Sequence, residues 1–430
     1  MTDVEPIKCD VCVIGTGLAG MAATLFAANR GVSVVQVGHT GEIIFASGLL
    51  DLLGVYPVSE KRLWSDPWAA IDALARDIPD HPYARLKKDD IKTAFDEILA
   101  FLEEAGLPYH RRMDHNSGVL TSLGTIKSTY CVPHTMWKGV RALEEKPACL
   151  IIDIRGLKGF SARQITEALQ NGNEWPDLRS AQISFPDSDH LNEMYTEHMA
   201  NALLRPHKRE KLAQVVRSLV KESKIVGLPA ILGLYRTLEV ISQLEELIGV
   251  PLFEIPTMPP SVPGLRLKEA FERGLRPKSV QYFSLKRVLQ VRQPSDGHFE
   301  THIGSNDVEH SVHSRGIILA SGRFIGGGLH ADRKRIRETI FDLPVYQPDS
   351  RTEWHRRDFM DSRGHLINRA GLEIDDAFRP LDDSGGPAFE TLFAAGSILA
   401  HNDWKRMKCG AGIAIATAFG AVNSFIRSCQ

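Results

Sequence analysis

Cysteine is scarce, with six residues in a chain of 430, and they are scattered along it. That excludes a disulfide-stapled scaffold and suits a reducing compartment. A dominant charge is also missing. The 51 Lys and Arg residues nearly balance 53 Asp and Glu, for a formal net charge of −2. Binding of nucleic acid or anionic lipid through bulk charge is therefore not expected. No apolar run reaches the roughly 18 residues of a membrane span. The nearest, Ala411 to Val422, is short and rich in glycine and alanine. The N-terminus carries Asp3, Glu5 and Lys8, without the basic start and apolar centre of a leader. A cytoplasmic protein that reaches a membrane only through partners is the expectation.

What is present is ordinary globular composition, 43% hydrophobic and 24% charged, in a chain long enough for two or three domains. The first 37 residues read strand, glycine turn, helix, strand. Val11, Val13 and Ile14 lead into Gly15-Thr16-Gly17-Leu18-Ala19-Gly20, then Met21 to Arg30, a stop at Gly31 and a second strand Val32 to Val37. Gly15, Gly17 and Gly20 have the dinucleotide spacing: a tight turn, close approach of a phosphate, and close packing of helix on strand. The helix end then offers free N–H groups and a positive dipole to a phosphate. The usual acid at the end of the second strand is lacking. That strand ends Gln36-Val37-Gly38-His39, with Glu42 the first acid beyond. Gln36 is a possible replacement at the ribose, and the gap favours a mononucleotide or a weakly held dinucleotide.

Ile91, Phe95, Ile98, Leu99 and Leu102 mark an amphipathic helix. From residue 148 strands alternate with helices: Cys149–Ile154, Ala181–Phe185, Ile225–Leu228 and Pro251–Ile255, with helices over about 161–170, 189–204, 208–222 and 236–248. This rhythm predicts a second parallel α/β layer inserted in the first. After the prolines 256, 259, 260 and 263, residues 280–320 read as a three-stranded meander ending Ala320-Ser321-Gly322. A strand ending Ala395-Gly396 precedes a final helix headed by Gly410 and Gly412. Such a pair of strands, with a helix aimed at the ring, suits a flavin domain.

The expected fold is thus α/β: a Rossmann-like flavin-binding domain with a β-meander and an inserted second α/β domain. Its parts are 1–60, 264–335 and 385–430 for the flavin domain, 61–263 for the insert, and 336–384 as an irregular connection. Cys9 and Cys12 spell C-x-x-C, but positions three apart on a strand face opposite sides, so no metal site is expected. His134 reads as structural. The basic clusters Arg205–Lys211 and Arg333–Arg337 read as solvated faces. Near the final helix, Arg323, Lys405, Arg406 and Lys408 are candidate cations for an anionic substrate and His401 a candidate base. His401 and Arg406 are the catalytic candidates. No orienting carboxylate is legible beside them, which suits an electron-relaying flavin about as well as a substrate-oxidising one.

Longer segments carry a resemblance. They are the glycine turn, Ala46-Ser47-Gly48-Leu49-Leu50-Asp51-Leu52-Leu53, Leu123 to Thr129, Pro256 to Leu267 with its Pro-Pro pair, Leu319 to Phe324 followed by Gly326 to Leu329, and Leu392 to Gly412. Through these the chain resembles the B subunit of anaerobic glycerol-3-phosphate dehydrogenase, almost end to end. The resemblance implies FMN, with FAD as the alternative, and places Ser47 and Gly48 near the ring. It implies a catalytic flavin subunit and a membrane-docked iron–sulfur subunit as partners. The assembly would oxidise sn-glycerol 3-phosphate to dihydroxyacetone phosphate and pass electrons to quinone, peripheral to the inner membrane. The expectation is the relay reading: the complex oxidises glycerol 3-phosphate and this chain's flavin mainly carries electrons onward. The alternatives are a docking subunit without functional flavin and an independent flavin oxidoreductase with another substrate. Where a flavin is bound, the cofactor contacts expected are Gly15, Gly17, Gly20, Ser47, Gly48, Gly322, Gly396, Gly410 and Gly412.

Overall fold

A computed structural model describes residues 5–39, 42–172, 175–188, 190–294 and 297–430. The chain divides into two compact units: Met1–Glu42, Asp51–Ala100 and Glu272–Gln430 in the first, Ile43–Leu50 and Phe101–Phe271 in the second.

The first unit is organised by a seven-stranded mixed sheet. Its order is Val280–Ser284, Val34–Gly38, Ile7–Ile14, Val308–Leu319, Phe299–Gly304 and Arg287–Arg292. Leu392–Ala394 pairs in parallel with the end of the long strand, Ile317–Leu319. The strands on the glycine-turn side are parallel and the last two antiparallel. Three of the strands form the expected meander, but Val280–Ser284 does not join it. It crosses to the far edge and pairs with Val34–Gly38, a long-range choice that local alternation cannot encode.

Val11–Ile14 and Ile317–Leu319 are buried at every successive position, so the sheet is covered on both faces there. Helix Leu18–Asn29 packs on the final helix, Gly410–Ser428, with Phe26 edge-on to Phe419 at 5.3 Å. The final helix is long and apolar enough to cross a membrane, yet most of it lies inside this fold. It is a core helix.

The amphipathic helix at Ile91 spans Lys88–Glu104, with Ile91, Phe95, Ile98 and Leu102 fully buried. Its placement corrects the expected boundaries. Residues 51–100 pack with the first unit and not with the insert, because Glu97 on this helix takes a two-pronged bond from Arg30 and another from Asn29. Residues 336–384 also belong to the first unit, and 43–50 to the second.

The second unit carries a four-stranded sheet in the order Leu252–Ile255, Ile225–Pro229, Cys149–Ile154, Leu178–Ile183, parallel at each pairing. The expected alternation is present, with helices Ala162–Asn171, Thr196–Ala202, Pro206–Val220 and Thr237–Ile248. Asp189, where the second of these was expected to begin, lies outside the described residues. Leu150, Ile152 and Ile154 face one core, with Leu212, Val216 and Val240. Cys149 and Ile151 face the other, with Ile165, Trp175 and Phe253. Burial on both faces explains a strand with almost no polar alternation.

Candidate functional site

The glycine turn begins where the first strand runs out. Gly15 sits at φ +133° and donates to the Val37 carbonyl at 2.8 Å. A Cβ on Gly15 would overlap the Ala320 carbonyl, and one on Gly20 the Gly15 carbonyl. Gly17 is different. Nothing lies within 4 Å of where its Cβ would be.

Helix Leu18–Asn29 starts directly after Gly17, without a side-chain cap and without an acid in its first turn. Its first internal bond is Met21 N–H to Gly17 O, 3.0 Å, so the earlier amides belong to the helix's unsatisfied end. Bare amides, a positive dipole and open space over Gly17 make a cradle for a phosphate.

The other two cofactor segments meet this turn. Ala19, Ala320 and Ala414 form one small apolar cluster. A Cβ on Gly396 (φ +83°) would stand 2.5 Å from that of Ala19, and the Gly396 N–H donates to Thr417 Oγ1 at 2.8 Å. Gly322 has φ +71°. Beside it, Ser321 Oγ is buried and makes no hydrogen bond among the described residues. A buried hydroxyl without a partner costs about 1–3 kcal/mol. The fit to a phosphate-bearing flavin, which the sequence implies, rests instead on the open space over Gly17 and the uncapped helix start beside it.

Gln36 departs from its expected place. It is fully buried, and its Nε2 donates to the Gly15 carbonyl at 2.9 Å. It braces the turn from within the fold and is not directed at a ribose. Gly38 closes the strand, where a Cβ would stand 2.6 Å from the Thr16 side chain.

Gly412 also departs. Its N–H donates to Asp51 O at 2.7 Å, and a Cβ there would overlap Tyr83 Oη. It lets the final helix pack on residues 51–52 and 83. A Cβ on Gly410 would press on the Trp404 ring, 2.9 Å away.

Among the cations, Arg323 is not a substrate ligand. It is buried, and it donates to Asn368 O, to Leu399 O at 2.8 Å and to Asn402 O at 3.0 Å. Burial pushes its pKa down to about 10, against the pull of Asp403 and Cys409, which raise it. Arg323 instead clamps the turn that carries His401. Arg406 pairs with Asp403 at 3.4 Å, and Lys405 lies over the Trp404 ring at 5.2 Å. Lys408 ends the short helix Trp404–Met407 in a left-handed conformation, φ +54°.

His401, at φ +63°, bonds through Nε2 to Glu373 Oε1 at 2.9 Å, and its ring packs on Tyr346 with centroids 4.1 Å apart. Glu373 is a carboxylate partner of His401 that the sequence alone does not reveal. The two are 28 positions apart, a spacing that no motif signals. His401 and Glu373 line a small cavity of about 40 Å³ with Asp80 and Arg85. A larger depression, about 630 Å³, is lined by residues of the 352–366 loop and by none of the expected site residues.

Ser47 and Gly48 lie in the second unit. Ser47 Oγ accepts from Leu49 N–H at 3.4 Å. Gly48 has φ +83°, accepts from Tyr109 Oη at 2.7 Å, and leaves 2.5 Å between a Cβ and that of Pro263.

His81, in the first unit, is fully buried and accepts the Tyr83 N–H on Nδ1 at 3.2 Å. Burial, with smaller contributions from His401 and Arg369, lowers its pKa from 6.5 to about 3. Between those values the unfolded chain binds a proton that the folded chain refuses. Stability should therefore be complete above pH 6.5 and fall on acidification toward pH 3, with about 1.4 kcal/mol per pH unit attributable to this residue. Urea unfolding across that range checks it. His81→Gln should flatten the slope, and parallel slopes would contradict the assignment.

The chain matches the family described as FAD binding domain over residues 10–413. It is 28% identical over 424 residues to the B subunit of anaerobic glycerol-3-phosphate dehydrogenase from Vibrio vulnificus, covering 96% of this chain and 95% of that one. To the protein of the same name from Pectobacterium atrosepticum it is 28% identical, covering 98% and 99%. To a Halobacterium salinarum protein named as a probable B subunit of the same dehydrogenase it is 29% identical, covering 96% and 97%.

Proposed function

The chain belongs to the FAD-binding-domain family, and from that premise we propose that it is the flavin-binding subunit of an anaerobic glycerol-3-phosphate dehydrogenase. The complex would oxidise sn-glycerol 3-phosphate to dihydroxyacetone phosphate and pass electrons through partner subunits to quinone. The observation that carries the cofactor part is the open cradle over Gly17, at the uncapped start of helix Leu18–Asn29. FAD is favoured over FMN. The family description names FAD, and it outweighs the missing ribose acid, for which Gln36, bonded to the Gly15 carbonyl, is no substitute.

Flavin supplies the hydride acceptor for alcohol oxidation. Gly15, Gly17 and Gly20 would hold its phosphate, with Gly322 and Gly396 along the same side. His401 would take the hydroxyl proton on Nδ1, because Nε2 is engaged by Glu373. That carboxylate fixes the tautomer and stabilises the imidazolium that forms. Arg406 would meet the substrate phosphate. With an oriented base present, substrate oxidation on this chain gains support over electron relay.

The test is stopped-flow reduction of the flavin-loaded chain by sn-glycerol 3-phosphate. Rapid bleaching is expected, slowed by roughly 10²–10⁴ in His401→Ala, the range for loss of a general base, with flavin retained. Slow bleaching that ignores His401→Ala would restore the relay reading.

A further inference from the structure

Gln36 is an unusual residue for its place. It occupies the strand Val34–Gly38 among Val34, Val35 and Val37, at no solvent exposure. Its register partners are Val13 on one side and Tyr282 on the other. Burying a primary amide in such a strand is unfavourable unless all its groups are bonded. This one is only half satisfied. Nε2 donates to the Gly15 carbonyl at 2.9 Å, while Oε1 makes no hydrogen bond among the described residues. An apolar side chain of the same length would remove that deficit.

What the amide does achieve is control of the turn. Gly15 is held from both ends, by its N–H on Val37 O and by its carbonyl on Gln36. Gly20, the third glycine, lies against the same amide, with its Cβ position 3.3 Å from Nε2. The carbonyl of Gly15 is thereby drawn toward the strand, which leaves amides, not a carbonyl, at the open side over Gly17. A carbonyl turned outward there would repel a phosphate.

We propose that Gln36 is a positioning residue that holds the glycine turn in its phosphate-accepting form at some expense of stability. This rests on the flavin-binding reading above and deepens it. Stability and affinity should then respond in opposite directions, which a merely structural role would not produce.

The experiment compares the full chain with Gln36→Met and Gln36→Glu, by thermal unfolding without ligand and by titration with FAD, ADP and riboflavin. In Gln36→Met, melting should be unchanged or higher. Affinity for FAD and ADP should fall about tenfold, the loss expected for one hydrogen bond, with riboflavin binding unchanged. In Gln36→Glu, affinity should recover at low pH, where a protonated carboxyl can again donate to Gly15, and fall as the pH rises. The Met variant separates this from simple charge repulsion, since it carries no charge. Wild-type affinity for FAD and ADP in Gln36→Met would overturn the proposal, as would an equal loss of riboflavin binding. Failure of the unmodified chain to bind FAD or ADP would instead remove the flavin-binding reading, and this proposal with it.

Discussion

Two neighbouring glycines should fail in opposite ways. Gly15→Ala is expected to lose stability: its φ of +133° is strained for an alanine and the new Cβ overlaps the Ala320 carbonyl. The conformational strain alone is about 1–3 kcal/mol, before the overlap is counted. Gly17→Val should fold normally. Gly17 has φ −77° and ψ −178°, an extended conformation, and open space around its Cβ position, so the loss of stability should be only about 1 kcal/mol, the cost of an aliphatic residue at a helix N-cap. Its flavin affinity should nevertheless drop roughly tenfold to a hundredfold or more, the scale of forcing a side chain into filled space. Chemical denaturation and flavin titration of both variants separate the two effects. Wild-type flavin affinity in Gly17→Val would mean that the space over Gly17 is not where a phosphate sits.

The second large effect belongs to the other unit. Arg266 and Glu254 form a two-pronged ion pair, 2.6 and 2.8 Å, with both side chains essentially out of solvent. Burial alone would raise the Glu254 carboxyl. The Arg266 charge and its hydrogen bonds outweigh that, with help from Thr135 and the Leu232 N–H, and hold it below its ordinary value. Arg266 also donates through Nε to Gly233 O at 2.8 Å. Arg266→Met should destabilise the chain by about 3–5 kcal/mol, because it leaves a buried carboxylate without its cation. Changing both residues, Arg266→Met with Glu254→Leu, should recover much of the loss. A single-variant loss below about 1 kcal/mol would contradict the burial and pairing described.

The parallel layer of the second unit was legible because its strands are buried on both faces. Cys149–Ile154 has the same bounds in sequence and structure, being an apolar run closed by Arg155 and Gly156. The glycine turn was legible because its residues adjoin in sequence and each glycine has its own steric reason. What escaped were the partners chosen across the fold. Val280–Ser284 reads as one more meander strand until its pairing with Val34–Gly38 is seen. The strand that follows helix Lys88–Glu104, Tyr109–Arg111, belongs to the second unit, so nothing local reveals that Glu97 reaches Arg30. Within the site, Glu373 lies in an irregular stretch, and a long-range backbone pairing of Leu372 with Leu399 brings His401 to it. Arg323 itself looked like a substrate cation, because sequence shows its charge and not the three backbone carbonyls around it.

Isolation of the chain with its partners from native cells, followed by chromatography of the released cofactor, shows whether the first unit holds a flavin on its glycine turn. FAD is predicted, in an amount of one per chain beyond any flavin carried by partners, and the chain alone should take FAD up again in solution. A colourless chain that retains neither FAD nor FMN after reconstitution would contradict the account.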